Sequence, residues 1–332
     1  MISHLNLLDT SISTDNLGDI IIVDSIRNQL ADILSQQYVT NVSTHDSMGA
    51  VGRRLCREAD INMLLGTNAL TSKNRVGKKD MWRLRLWDIS SLANKVVLCG
   101  VGWRNYQTEV KTRQAKFYRN ILNGEYIHSV RDSHAESMLK SIGINNVLNT
   151  TCPTTWSLNQ NHCAAIPQGQ APNVVFTLTR HKKADEDKQM IRYLLSLYNN
   201  VYFWPQQIED ADYLKTLVDA STFTDIHLLA PSLLAFDLFL QTTDTDFIGT
   251  RLHGGIRALQ LKRRSFIIGI DNRAREIAKD INLPVLLRQE IENLPQLISS
   301  NYETAIKLPI ENITKWRNQD KFLYKKQRNS GF

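Results

Sequence analysis

Short apolar runs alternate with amphipathic segments twice along this chain, and this double alternation constrains its fold more than any other feature. In the first half, residues 60–65 and 95–99 are apolar runs that are each followed by a glycine, as is typical of buried parallel strands. After residue 172, further strands are predicted at 173–179, 201–204, 226–229, 247–248 and 265–270. The pattern predicts an α/β chain with two doubly wound, Rossmann-like domains that face each other across a cleft.

A polar, turn-rich segment separates the two alternations and predicts the domain limits. Residues 156–172 form the predicted linker. The predicted domains are therefore 1–155 and 173–300, followed by a tail at 301–332. Within the tail, residues 310–326 predict a basic helix.

The composition describes a globular protein. Hydrophobic residues make up 42% of the chain and charged residues 22%, which excludes disordered and fibrous classes. No window approaches the roughly 18 uninterrupted apolar residues that a membrane-spanning helix needs. Residues 1–9 lack a basic region and include Asp9, so we do not expect a signal peptide. The expected location is the cytoplasm.

The cysteines predict neither a disulfide framework nor a metal site. Scattered thiols without C-x-x-C spacing suit a reducing compartment in a chain of this size. A zinc site would need a second ligand pair at finger-like spacing, and His162 has none near it. Structural roles are expected for Cys56, Cys99, Cys152 and Cys163.

The segment 246–259 carries the strongest chemical signal. An apolar run stops at Gly249, and Arg251 and His253 follow, before two glycines and the start of a predicted helix. In an α/β protein this places a permanent cation and a titratable imidazole at the carboxyl end of a strand, beside a helix N-terminus. Ligands of open α/β sheets bind at that edge. The segment therefore predicts an anionic substrate handled by acid/base chemistry, whereas the alternative is an arginine paired with a nearby carboxylate and a histidine that caps the helix.

Three motifs occur in a set order along the chain. They are Asn16-Leu17-Gly18-Asp19 at the first predicted helix, the strand–helix block at 129–143, and Arg251-Leu252-His253-Gly254. Together they resemble the Asn-x-Gly-Asp turn, the central block and the Arg-Leu-His signature of the polysaccharide pyruvyl transferases. The resemblance covers residues 10–300 and implies a GT-B-like fold, with the acceptor on the first domain and the donor on the second.

This resemblance implies transfer of a pyruvyl group from phosphoenolpyruvate to a sugar of a polysaccharide or its precursor, with formation of a ketal and release of phosphate. The donor carries a carboxylate and a phosphate, so the site needs cations, and proton transfer is needed at the enol and at the sugar hydroxyls. Phosphoenolpyruvate is thus the expected donor substrate. No cofactor and no metal are expected.

The resemblance also assigns roles to particular residues. Arg251 is the expected ligand of the donor carboxylate or phosphate, since its fork binds and orients an anion, and His253 is the expected general acid/base. Arg180, at the end of the strand 173–179, matches a second donor-binding arginine of the family. For Arg180 a basic surface turn is the alternative.

Glycines and polar residues at turns supply the other candidates. Asn16, Gly18 and Asp19 are expected to bind sugar hydroxyls, and Asp19 to activate one of them, while an N-capped helix is the alternative. Three further glycines are candidate substrate-binding turns: Gly100 and Gly102, which follow the strand at 95–99, and Gly254 at the helix start.

The charge balance indicates an anionic partner. The net charge is +7, and the expected saccharide acceptor is either free or linked to a lipid diphosphate. Residues 75–87 and 321–328 are basic and could make a peripheral contact with the inner face of the plasma membrane, although a solvated basic face is the alternative. The basic residues form no nucleic-acid-binding pattern, so no nucleic acid is expected.

Two other functions share this fold. One is a GT-B-type glycosyltransferase that uses a nucleotide sugar, for which a base-stacking aromatic residue and a ribose-binding glutamate are not evident. The other is a saccharide-binding paralogue without catalysis. Arg251 and His253 favour a catalytic protein over the second alternative.

Overall fold

The computed structural model describes residues 3–73, 81–270 and 272–319. Contacts divide the chain into two compact units. The first unit comprises Met1–Thr14, Ile22–Trp156 and the segment from Pro309 onward, and the second comprises Asp15–Ile21 and Ser157–Leu308. The predicted domain limits stay predictions. In the structure, however, the segment Asp15–Ile21 clusters with the second unit and the last described helix with the first.

In the described residues, the first unit contains six strands and the helices between them. The strands are β1 His4–Asp9, β2 Tyr38–Ser43, β3 Ile61–Leu65, β4 Val96–Cys99, β5 His128–Val130 and β6 Val147–Asn149. The helices are α1 Leu17–Gln29, whose first residues belong to the second unit, α2 Ala31–Leu34, α3 Ala50–Glu58, α4 Ile89–Leu92, α5 Thr112–Ile121 and α6 Ser133–Lys140. A last helix at Ile310–Arg317, α15, returns to this unit.

Its main sheet is parallel, with the strand order β2-β1-β3-β4. The parallel pair β5-β6 lies beside β4, where a bridge joins Val101 to Val130. In this order β2 lies on one side of β1, and β3 and β4 lie on the other, so the strand order reverses between β1 and β3, as in flavodoxin-like sheets. Apolar residues from β1, β3, β4 and the surrounding helices form one buried cluster around Leu8, Leu64 and Leu98.

The other six strands of the described chain belong to the second unit. They are β7 Asn173–Thr177, β8 Asn200–Phe203, β9 Ile226–Leu228, β10 Thr245–Gly249, β11 Ser265–Gly269 and β12 Val285–Leu287. Its helices are α7 Gln160–Ala164, α8 Ala184–Leu197, α9 Ile208–Leu217, α10 Ala220–Thr224, α11 Leu233–Thr242, α12 Leu252–Gln260, α13 Asn272–Ile281 and α14 Leu294–Ser299.

All six strands of the second sheet are parallel, in the order β12-β11-β10-β7-β8-β9. Numbered by appearance, this is the order 3-2-1-4-5-6 of dinucleotide-binding Rossmann folds. Both faces are covered, because Val174 and Phe176 point into one buried cluster and Val175 into another. The prediction of an α/β fold with Rossmann-like parallel sheets is confirmed.

Within the described residues, no helix combines the length and the apolar character needed to cross a bilayer.

Candidate functional site

The site lies in the second unit, where the strand order reverses between β7 and β10. A Cβ at Gly249 would lie 2.4 Å from Thr177 Oγ1, so glycine lets the two strand ends approach closely. The Thr250 N–H donates to the Thr177 carbonyl (3.1 Å) and the Arg251 N–H to Thr177 Oγ1 (3.3 Å). The ends of both strands are thereby held together at the edge where ligands of such sheets bind.

Arg251 is buried at this edge and forms an ion pair with Asp210 of α9. Its Nε donates to the Leu178 carbonyl at 2.7 Å, and its Nη2 donates to Asp210 Oδ1. Asp210 Oδ2 also accepts from the backbone N–H groups of Gln206 (3.1 Å) and Gln207 (2.9 Å). Burial raises the pKa of the Asp210 carboxyl, whereas the Arg251 guanidinium and these N–H groups oppose the rise. The arginine–carboxylate pairing anticipated as an alternative is therefore present, and it fixes the orientation of the guanidinium.

A pocket of about 410 Å³, including space open to solvent, lies at the same edge. It contains both residues of the Arg-Leu-His motif that carry chemistry, Arg251 and His253. His253 is buried in the first turn of α12, one residue after the helix begins. The remaining lining residues come from the turn before α1, the loops after β7, β8 and β10, and the region of β11 and α13: Asn16, Thr179, Gln206, Thr250, Leu252, Ile267, Ile268, Ile270 and Ala274.

The two glycines of α12 allow close packing. A Cβ at Gly255 would lie 2.4 Å from Ile267 Cγ1, so the helix packs directly on β11. A Cβ at Gly254 would lie 3.3 Å from both the Phe247 ring and Gln206 Oε1. Because both positions lack a side chain, the N-terminus of α12 can lie close to the sheet. The position of His253 depends on this close packing.

The Asn16 turn belongs to the second unit and meets the same pocket. Asn16 Oδ1 accepts from the Gly18 N–H (3.1 Å) and from Gln206 Nε2 (2.9 Å). Asn16 Nδ2 donates to Asp19 Oδ2 at 3.4 Å, and Asp19 is buried behind it. Asn16 thus caps α1, as the alternative for this motif anticipated, while its side chain also lines the pocket.

Arg180 lies outside the lining of this pocket. It is exposed in the loop after β7. This loop is fixed one residue later, where Arg288 Nη1 donates to the His181 carbonyl (2.7 Å) while Arg288 Nη2 pairs with Asp187 at 2.6 Å. The structure therefore places Arg180 at the carboxyl edge of the sheet on an anchored loop.

Gly100 and Gly102 lie in the first unit. Gly100 has φ of +65°, and a Cβ there would lie 2.1 Å from Pro153 Cδ. At Gly102 a Cβ would lie 2.0 Å from Arg131 Nη2, which donates to Asn68 Oδ1 at 2.6 Å. Both glycines therefore make room for protein side chains, and their predicted contact with substrate stays a prediction.

Two residues of the site, Gln206 in the pocket lining and Asp210 as the partner of Arg251, were not singled out from the sequence. Asp210 follows Gln207 at the spacing of a capping box, which is a signal for a helix start but not for an arginine partner. Gln206 follows Trp204-Pro205 with no local signal at all. Trp204, directly after β8, is fully buried and stacks on Phe236 with 3.8 Å between the ring centroids.

The cysteines and the described residues of the basic segments are not among the residues that line this pocket. All four cysteines are buried free thiols, and burial raises the pKa of Cys56 to about 12. Of the predicted basic segments, 74–80 and 320–332 lie outside the described residues. Among residues 81–87, Leu86 and Trp87 are exposed, and the Arg85 guanidinium stacks 5.5 Å from the Trp87 ring.

Comparisons with known proteins agree with this architecture. Residues 16–272 match the family model described as polysaccharide pyruvyl transferase. Among solved structures, the chain resembles the UDP-GlcNAc 2-epimerase of Methanocaldococcus jannaschii in complex with UDP-GlcNAc and UDP, with a TM-score of 0.55 and 12% identity over 97% of this chain and 99% of that one. A second structure of that epimerase gives a TM-score of 0.54 and 11% identity over 93% and 95% of the two chains. A sequence search of curated proteins finds no match. The structural likeness confirms the predicted GT-B-like fold.

Proposed function

Since the chain belongs to the polysaccharide pyruvyl transferase family, we propose that it transfers a pyruvyl group from phosphoenolpyruvate to two hydroxyls of a sugar, forming a ketal and releasing phosphate. The sugar is part of a polysaccharide or of its precursor, either free or linked to a lipid diphosphate. Phosphoenolpyruvate serves as donor substrate, and the reaction uses no cofactor.

One observation carries this proposal: Arg251 and His253 line a single pocket at the strand reversal of the second sheet. The first N–H groups of α12 point to the same edge and add a partial positive charge. A guanidinium, a helix N-terminus and an imidazole together suit a doubly anionic donor that must also receive a proton.

The proposed reaction is an addition of the first hydroxyl followed by loss of phosphate. His253 donates a proton to the methylene carbon of phosphoenolpyruvate, so that the central carbon becomes electrophilic and bonds to a first sugar oxygen. Asp19 accepts the proton of that hydroxyl. The bond between the central carbon and the phosphate oxygen then breaks, the second hydroxyl attacks, and its proton leaves with inorganic phosphate. The proton on Asp19 returns through solvent to His253, which restores both groups. A positioned acid and base contribute typically about 10²–10⁴-fold in rate.

Arg251 would hold the donor anion in a fixed orientation. Its pairing with Asp210 and with the Leu178 carbonyl locks the plane of the guanidinium, which favours binding in one orientation. Arg180 is the proposed second cation, on the loop that Arg288 anchors through the His181 carbonyl.

A nucleotide-sugar enzyme is the second candidate. The structural neighbour with a TM-score of 0.55 is a UDP-GlcNAc 2-epimerase bound to UDP-GlcNAc and UDP. Its 12% identity shows the fold alone. The family match favours pyruvyl transfer, and the experiment below separates the two.

The test is phosphate release from phosphoenolpyruvate with galactosides, glucosides and N-acetylmannosaminides as acceptors. We expect release that depends on the acceptor, and a loss of about 100-fold or more in Arg251→Ala and His253→Gln. Arg257→Ala is the matched control, since Arg257 pairs with Asp237 on α11 and does not line the pocket. The proposal fails if no acceptor elicits release and millimolar phosphoenolpyruvate does not raise the melting temperature. UDP-GlcNAc and UDP are then tested as ligands by the same melting assay.

A further inference from the structure

Gln206 has a buried side chain in the proposed donor pocket. It follows β8 and lines the same pocket as Arg251 and His253, with 3% of its surface exposed. Its backbone is fixed on both sides, because its N–H donates to Asp210 Oδ2 (3.1 Å) and its carbonyl accepts from the Leu17 N–H (3.1 Å). The position of this side chain is therefore built into the fold.

Neighbouring hydrogen bonds fix which end of the Gln206 amide faces which way. The Gly18 N–H can only donate, so the Asn16 atom that accepts from it, at 3.1 Å, is Oδ1. Gln206 approaches that same oxygen at 2.9 Å and must therefore present its Nε2 donor. Because Nε2 faces Asn16, Oε1 occupies the other terminal position of the amide.

This oxygen has no hydrogen-bond partner among the described residues. A buried acceptor that is left unsatisfied lowers the stability of the folded protein. Oε1 lies near the N-terminal turn of α12, since a Cβ at Gly254 would be 3.3 Å from it. A ligand that donates a hydrogen bond at this point would satisfy the oxygen.

The chemistry of the donor substrate excludes its ionised form as that partner. The carboxylate and the dianionic phosphate of phosphoenolpyruvate offer acceptors alone, and an acceptor cannot satisfy another acceptor. A sugar hydroxyl offers an O–H donor. The reaction brings two such hydroxyls to the central carbon of the donor, and hence to this pocket.

We infer that Gln206 Oε1 accepts a hydrogen bond from a hydroxyl of the acceptor sugar, which makes Gln206 a residue that determines acceptor specificity. This inference rests on the proposed function. The other source of an O–H donor is a singly protonated phosphate of phosphoenolpyruvate. Its pKa near 6 makes that source dependent on pH.

The experiment compares Gln206→Met with the wild type in the full-length chain. Methionine has a similar length but carries neither the amide oxygen nor the amide nitrogen. We measure the dissociation constant of phosphoenolpyruvate by calorimetry at pH 8 and at pH 5.5, and KM and kcat for the best acceptor and for its monodeoxy analogues. Gln241→Met is the control, because Gln241 is exposed near the end of α11.

We expect the substitution to weaken the use of the acceptor without changing the binding of the donor. In Gln206→Met the KM for the acceptor rises about tenfold, which corresponds to about 1.4 kcal/mol, while phosphoenolpyruvate binds as in the wild type at pH 8. For the wild type, one monodeoxy analogue should have a higher KM than the complete acceptor. For that analogue, Gln206→Met and the wild type should have the same KM. Such coupling identifies the hydroxyl and would not arise from a merely structural role.

Gln206→Glu provides a second variant if the methionine variant folds poorly. Its carboxylate keeps an acceptor at this position, so the coupling to the same hydroxyl persists. Its negative charge beside the anion pocket should weaken phosphoenolpyruvate binding. Loss of the coupling in the glutamate variant, with acceptor affinity equal to that of the wild type, contradicts the inference.

Other results overturn the inference in distinguishable ways. Equal losses for donor and for every acceptor analogue indicate a structural role. Tighter phosphoenolpyruvate binding at pH 5.5, lost in Gln206→Met, assigns the oxygen to the protonated phosphate. If the wild type does not use phosphoenolpyruvate, the proposed function fails, and calorimetry with the saccharide panel and UDP-GlcNAc tests Gln206 alone. Equal affinities of wild type and Gln206→Met for those ligands, or no binding by the wild type, then contradict the inference as well.

Discussion

Arg251 and Asp210 form a buried ion pair at the edge of the second sheet, although 41 residues separate them along the chain. The pair joins the signature motif to the first turn of α9. It holds the arginine in place but also reduces the positive potential that reaches the pocket. The affinity of the pocket for anions therefore depends on how the charge of Arg251 is shared between Asp210 and a ligand.

The substitution Asp210→Asn tests whether Asp210 and a bound anion compete for the charge of Arg251. The substitution leaves Arg251 without the Asp210 carboxylate, and breaking such a buried pair typically costs about 3–5 kcal/mol of stability. An anion in the pocket would then compensate the charge. We expect millimolar phosphoenolpyruvate to raise the melting temperature of Asp210→Asn more than that of the wild type.

Asp237→Asn is the matched control, because it breaks the pair with Arg257 on the neighbouring helix. Its ligand-induced rise should equal that of the wild type. A smaller rise in Asp210→Asn than in the wild type would mean that Arg251 does not face the anion.

We expect the substitution Gly255→Ala to disturb the packing of α12 on the sheet. In Gly255→Ala the new Cβ would lie 2.4 Å from Ile267 Cγ1 and 3.0 Å from the Phe247 ring. Overpacking of this kind costs typically about 1–3 kcal/mol. Chemical denaturation should detect that loss, and catalysis should fall because α12 carries His253.

Gly124→Ala is the comparison for this prediction, since a Cβ there meets nothing within 4 Å. It should leave stability unchanged within about 0.5 kcal/mol. Equal stability of the two variants would show that α12 can shift without cost.

Because of His128, we expect the free energy of unfolding to fall in acid. It lies in β5, where its Nδ1 accepts from the Leu98 N–H (3.3 Å) and its Nε2 donates to the Asn123 carbonyl (3.0 Å). Burial lowers its pKa from 6.5 to about 4. The folded state then binds fewer protons than the unfolded chain between these values, so stability falls as pH drops from 6.5 toward 4, by roughly 3 kcal/mol in total.

Melting curves between pH 7 and pH 4 measure this effect. His128→Gln should show a shallower decline than the wild type, because the titrating group is gone. His227→Gln removes an exposed histidine of β9 and should keep the wild-type slope. The same slope in all three proteins would assign the acid sensitivity to other groups.

The strands β7 to β11 of the second sheet could be predicted from the sequence because their cores are apolar and their ends are marked, whereas β12 was not predicted. The run that forms β10 stops at Gly249, and the run that forms β7 is followed by polar residues. β1 and β2 were harder to predict. In β1 the buried Asn6 interrupts the apolar pattern, and it is satisfied by a hydrogen bond to Asn62 Oδ1 at 2.8 Å. β2 is an edge strand with mostly polar residues.

The site could be predicted only in part for a similar reason. The motif around Arg251 and His253 is local, so its position after a strand follows from the sequence. The partners of the motif are not local. Asp210 reaches Arg251 across the sheet edge, and Gln206 meets Asn16 across 190 residues, through contacts that no local pattern specifies.

The exposed pair Leu86 and Trp87 predicts binding to an anionic membrane surface. These side chains are 76% and 58% exposed, and Arg85 lies over the Trp87 ring. An indole and a leucine beside a guanidinium suit the headgroup region of a bilayer, where a basic residue contributes about 1 kcal/mol.

We expect the protein to sediment with phosphatidylglycerol-containing vesicles, and less with phosphatidylcholine alone. Leu86→Ser/Trp87→Ser should lower the partition coefficient about tenfold or more, whereas Leu238→Ser, which removes a 51% exposed leucine from α11, should not. Equal partitioning of all three proteins would indicate that this surface is a solvated basic face.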